Sequence, residues 1–328
     1  MTRRFIAALL SLALPGACVS GPPPGEGAAG RGNPARLQAP MPGCGPGAGR
    51  ADCASGPALS TQERFRLWGA RLVAQGRLRT DFAPPDAPVT AQALARDFER
   101  VALHVETARD AGGQAARDVP IRLSRWETPV RIRVVFDAGT PERQRRGDIA
   151  DIRALAGVLA RASGLALSVE QGRAPAPAGS GEIAVLVLGA AERHALAART
   201  GGGMGAGFDA ELRGDMPSPC FFRPESDAAD RLTGATVIVA AEARGLVRLS
   251  CFHEEITQSL GLPDDGPDVR PSLFNDDQEF ALITRHDVAL LRMVYDRSLH
   301  PGMTAEAVRP LLPAIAARAL AAEARSIR

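Results

Sequence analysis

The sequence predicts an α+β fold in which a mixed sheet packs against helices behind an N-terminal disordered tether. Three observations predict it. Two short apolar runs, residues 183–188 and 235–240, have the length and composition of buried strands. Around them lie longer stretches whose apolar residues recur at helical spacing. Residues 18–58, by contrast, are rich in Gly and Pro with almost no large apolar side chains, so burial cannot offset the entropy of ordering them. The expected organisation is a signal peptide over 1–17, a tether over 18–58 and a single α+β domain over 59–328.

At the start, Arg3 and Arg4 form a basic region, residues 5–14 a short apolar run, and Pro15-Gly16-Ala17-Cys18 follows. The run is far shorter than the roughly 20 residues of a spanning helix, so it reads as an export signal. The small residues before Cys18 resemble a lipoprotein cleavage box, which would leave Cys18 as the lipidated N-terminus. Pro15 is unusual three residues before the cysteine, and ordinary cleavage after Ala17 is the alternative. Both place the protein outside the cytoplasm, as a periplasmic or outer-membrane lipoprotein or as a secreted protein. The even set of remaining cysteines then suggests two disulfides, Cys44 with Cys53 and Cys220 with Cys251.

Within the domain, Ser60-Thr61-Gln62-Glu63 is a capping box opening a helix through Phe65, Trp68 and Leu72. Residues 97–106, with Val101, Leu103 and Val105 alternating, read as a strand. Val130, Ile132, Val134 and Phe136 alternate with Arg131 and Arg133, the pattern of a half-exposed strand. Residues 141–163 place Ile149, Ile152, Leu155 and Leu159 on one helical face. Strands follow at 165–169 and 183–188, and a short helix at 190–199. The Gly-rich run 201–207 follows a helix rather than a strand, so it reads as a flexible loop and not as a phosphate loop. A strand at 235–240 precedes a helix at 246–260. Thr284 caps another helix, with Asp287 at its N3 position. That helix continues to Tyr295, the one tyrosine, expected in the core with its hydroxyl at the surface. A last helix opens at Met303-Thr304 and is interrupted by Pro310 and Pro313.

Composition excludes several functions. A net charge of +2 argues against nucleic acid as a partner. Every basic residue other than histidine is Arg, which rules out a Walker A loop and Schiff-base catalysis, both of which need a lysine amine. There is no Gly-x-Ser-x-Gly elbow.

The chemistry-bearing stretch is residues 251–265. On a helix, Glu254 and Gln258 share one face and Glu255 lies beside them. Gly261 is placed to end the helix, Pro263 forbids its continuation, and Asp264 follows the turn. The layout resembles the zinc peptidase motif H-E-x-x-H-x-x-G-x-x-(H/D). Glu254, Gln258 and Asp264 stand at the ligand positions and Glu255 at the general base. A second register, His253-Glu254-x-x-Thr257, matches fewer features. An oxygen-only ligand set suits Ca²⁺, Mg²⁺ or Mn²⁺ better than Zn²⁺. Asp264, Asp265, Asp268, Asp276, Asp277 and Glu279 then form an acidic loop whose mutual repulsion a cation or an arginine must relieve.

The run from Cys251 to Asp264, residues 271–281, Thr284-Arg285-His286-Asp287 and residues 290–296 together resemble the bacterial family called domain of unknown function 2927. The likeness covers about residues 95–303. It implies an envelope or secreted protein and assigns no activity. A twisted sheet beside the motif helix is also what zincin peptidases resemble, so the fold is expected to be zincin-like.

Two function classes follow. One is an exported envelope protein, anchored to the membrane by lipid, that keeps a zincin-like scaffold without catalysis and binds an envelope protein or peptidoglycan. The other is a metal-dependent hydrolase of peptide or peptidoglycan, with Glu255 as base and a divalent cation held by Glu254, Gln258 and Asp264. The absence of two histidines favours the first, because catalytic zinc needs three good protein ligands.

Overall fold

The computed structural model describes residues 59–109, 115–214, 216 and 218–326. The signal peptide, the tether, Cys18 and the Cys44–Cys53 pair lie outside the described residues. Helix α1 (Thr61–Ala74) comes first. Helix α2 (Ala91–Leu103) runs directly into β1 (His104–Arg109), which pairs antiparallel with β2 (Ala115–Pro120). Then follow β3 (Val130–Phe136), α3 (Glu142–Ser163), β4 (Leu167–Gln171), β5 (Glu182–Leu188), α4 (Ala190–Thr200), α5 (Ala206–Arg213), β6 (Cys220–Ser226) and β7 (Leu232–Ala240). Helices α6 (Gly245–Gln258), α7 (Arg285–Val294), α8 (Ala305–Val308) and α9 (Leu312–Ser326) complete the chain, with a 3-10 turn at Arg309–Leu311.

The main sheet has five strands in the order β4-β3-β5-β7-β6. Strands β4, β3, β5 and β7 run parallel, and β6 pairs antiparallel with β7 at the edge. This is the mixed sheet with packed helices that the sequence predicts. Every residue of the central strand β5 is buried, which is why, after Glu182, residues 183–188 are a continuous apolar run rather than an alternating one. Ile183, Val185 and Val187 face one core, shared with helices α2, α3, α6, α7 and α9. Ala184, Leu186 and Leu188 face a second core, built with α1, α4 and α5. The result is a sheet covered on both faces. At the start of β5 the buried Glu182 accepts hydrogen bonds from Arg131 and Arg133.

Several elements differ from the sequence-based expectation. Residues 97–106 are not a strand: 97–103 complete α2 and only 104–106 enter β1. Leu94, Phe98 and Val101 recur at helical spacing and are fully buried, so the helical period outweighs the short alternation. The Thr90 side chain caps this helix by accepting from the Ala93 N–H. Strand β6 was hidden by Arg223, Pro224 and Glu225, residue types that an edge strand tolerates. Helix α5 begins inside the Gly-rich run, without a side-chain cap to announce it. Among the described residues no helix is long and apolar enough to cross a membrane.

Candidate functional site

Helix α6 leaves the sheet just after β7 and is fixed at both ends. Near its start, Arg248 is buried against Asp148 of α3, at 2.9 Å, and donates to the carbonyls of Ala241 and Ala243. Burial raises the Asp148 pKa and lowers that of Arg248, while their mutual attraction opposes both shifts. One turn on, Cys251 is bonded to Cys220 of β6, with Cα atoms 5.8 Å apart, as the cysteine count suggested. His253 Nδ1 accepts the Ile283 backbone N–H at 3.0 Å, and burial lowers its pKa to about 4. This imidazole is therefore a neutral acceptor that holds the segment before α7.

The C-terminal end of α6 meets two aromatic donors. Trp126 Nε1 donates to the Ser259 carbonyl at 2.8 Å, and the Tyr295 hydroxyl donates to the Leu260 carbonyl at 3.0 Å. These bonds satisfy carbonyls that a helix end leaves without partners. The Tyr295 hydroxyl, expected at the surface, instead bridges Leu260 and the Trp126 N–H, and burial pushes its pKa well above the ordinary phenol value. Gly261 adopts φ +111°, and a Cβ there would stand 2.5 Å from the Ser124 carbonyl oxygen. Glycine is thus required both by conformation and by the close approach of another backbone.

Glu254, Glu255 and Gln258 share α6 as expected, Glu255 and Gln258 buried and Glu254 half-buried. Beyond the Gly261 turn, the Asp264 N–H donates to the Val101 carbonyl. The buried Asp264 carboxylate meets the Arg100 guanidinium at 3.1 Å. Arg100 also pairs with Asp118 at 2.7 Å and donates to the Asp265 carbonyl at 2.7 Å. Gln258 Nε2 donates to Asp265 Oδ1 at 2.7 Å, so the acid that reaches Gln258 is Asp265, the neighbour of Asp264. Farther along the acidic loop, Asp277 pairs with Arg77, and Glu279 with Arg79 and Arg270. The Arg270 bond, helped by Arg79, holds the Glu279 carboxyl below the usual range. Among the described residues no group of three or more His, Cys, Asp or Glu side chains is placed to hold a metal ion.

Two features beside the site were not read from the sequence. Asp97 and His286, both buried, approach to 3.0 Å between α2 and α7. Asp287, fully buried, closes the expected capping box with Thr284 and also accepts from the Ser272 hydroxyl and the Leu273 N–H. Only the local part, Thr284 followed three residues later by an acid, was visible in sequence.

No curated protein and no solved structure matches the chain. The family model described as "Protein of unknown function (DUF2927)" matches residues 91–314, a span that begins with α2 and takes in the whole sheet, the motif helix and the acidic loop. The chain belongs to that family.

Proposed function

We propose that this protein is an exported cell-envelope protein whose zincin-like motif helix serves as a non-catalytic scaffold, presenting a surface to an envelope protein or to peptidoglycan. A lipid on Cys18 would anchor it to the membrane; cleavage after Ala17 would release it. The N-terminal signal pattern and the Cys220–Cys251 disulfide support export, since disulfides persist in oxidising compartments. The observation that carries the non-catalytic reading is the Arg100 guanidinium. It stands against Asp264, the third ligand position of the motif, and also against Asp118 and the Asp265 carbonyl. A fixed positive charge there relieves the acid and repels a second cation. With Gln258 held by Asp265, the donor set as placed does not fit a divalent ion.

The alternative is a metal-dependent hydrolase with Glu255 as general base and Glu254, Gln258 and Asp264 around Ca²⁺, Mg²⁺, Mn²⁺ or Zn²⁺. It draws on the burial of Glu255 on the helix that follows β7. Elemental analysis of protein recovered from the cell envelope without chelator separates the two. The expected result is no stoichiometric divalent metal. A metal bound one to one, and lost in Asp264→Asn, would overturn the proposal in favour of the hydrolase. Mass spectrometry of the mature N-terminus tests export on the same sample: a retained Met1 defeats it.

A further inference from the structure

The five-stranded sheet ends on two edges that meet solvent differently. At one edge, β6 carries Pro224 between Arg223 and Glu225, and its register with β7 is irregular between Glu225 and Ser226. Proline, charge and irregularity are the means by which an edge resists the approach of another strand. At the other edge, β4 reads Leu167-Ser168-Val169-Glu170-Gln171, with no proline, no basic residue and a regular pairing to β3. Its one charge, on Glu170, is met by Arg131 of β3 at 3.3 Å. The Val130 N–H donates to the Ala166 carbonyl, and the Gly172 N–H donates to the Val134 carbonyl. The alternation of a parallel pair then turns the N–H and C=O groups of Leu167, Val169 and Gln171 away from β3. Among the described residues no other strand or loop backbone bonds to them. The side chains of Leu167 and Val169 pack toward the core shared with α3 but are only partly buried at this edge, and those of Ser168 and Glu170 are exposed.

We propose that β4 pairs antiparallel with β4 of a second copy of this chain, about a two-fold axis at Val169, so that the two sheets become one. A two-fold contact must complement itself, and this strand does. Val169 faces Val169 of the second copy, Leu167 faces Gln171, and Ser168 faces Glu170, so no like charges stand opposite one another. The outward backbone groups of Leu167, Val169 and Gln171 are symmetric about the axis, and each meets its complement in the copy. The partly buried side chains of Leu167 and Val169 come under cover, extending the core beneath α3 across the axis. The pairing does not rest on the function proposed for the motif helix. Light scattering of the full chain, purified in detergent to keep a lipidated N-terminus dispersed, tests it. Wild type should have twice the mass of the same chain in denaturant. Gln171→Pro removes one outward N–H, leaves the bonds to β3 in place and should halve the mass. Near-UV circular dichroism checks that this variant keeps its fold. Cysteine cross-linking gives a second readout that does not depend on the proline. Val169→Cys should form a covalent dimer on oxidation, because Cα atoms of a hydrogen-bonded antiparallel pair lie about 5.5 Å apart, within disulfide reach. Glu170→Cys, which faces Ser168 and not its own counterpart, should cross-link no more than wild type. A monomeric wild type overturns the proposal. So does a mass unchanged in folded Gln171→Pro, or a Val169→Cys chain that cross-links no more than Glu170→Cys.

Discussion

At the scale of one residue, His253 shows how burial becomes a pH dependence. In the unfolded chain its imidazole protonates near 6.5, whereas in the fold burial lowers the pKa to about 4. Between those values the unfolded state binds more protons than the native state. Stability from this group is therefore complete above about pH 6.5 and is lost as pH falls toward 4. The shift corresponds to about 2 kcal/mol lost on going from neutral pH to about pH 5. His253→Asn keeps an acceptor for the Ile283 N–H and removes the titration. Urea unfolding across that interval should fall with pH in the wild type and stay nearly flat in the variant. An equal fall in both would show that His253 is not the group responsible.

At the scale of elements, α6 owes its position to contacts that are remote in sequence. Cys251 is tied to β6, Arg248 to α3, and the helix end to Trp126 and Tyr295. The disulfide spans 31 residues, so in the chain-entropy model its loss costs about 3–4 kcal/mol. Cys220→Ser/Cys251→Ser should lower the urea midpoint by a corresponding amount. A change of a few tenths of a kcal/mol would mean that Arg248 and the aromatic caps alone hold the helix. The sequence made the local features legible. The strands at 130–136, 183–188 and 235–240, the helix at 141–163 and the Thr284–Asp287 cap all rest on period or on spacings of a few residues. What it hid was set by long-range packing. Arg100, which pairs with Asp264, lies on a helix whose short apolar alternation reads as a strand. The motif spacing placed Gln258 near the returning acid, but only the fold decides that Asp265 is the one it holds.

For the molecule as a whole, the question is what balances an acidic loop in a chain whose only strong bases are arginines. Asp264, Asp277 and Glu279 meet Arg100, Arg77, Arg79 and Arg270, drawn from the segments that follow and include α1 and α2 and from the loop itself. Backbone pairing reinforces these contacts: the Leu78 and Arg79 N–H groups donate to the carbonyls of Gln278 and Glu279. If guanidinium groups supply the neutralising charge, an added cation has no native-state site through which to stabilise the fold. Arg100→Met removes one such group from beside the buried Asp264 and keeps most of the side-chain volume. Because Arg100 is itself 31% exposed, the expected cost is about 2 kcal/mol, below that of a fully buried pair. The measurement is thermal unfolding of wild type and variant with chelator, then with millimolar Ca²⁺, Mg²⁺, Mn²⁺ or Zn²⁺. The wild-type midpoint should not move with any of them, and the variant should melt lower without rescue. A cation that raises the wild-type midpoint, and does so less in Asp264→Asn, would show that the loop holds a metal that Arg100 does not replace.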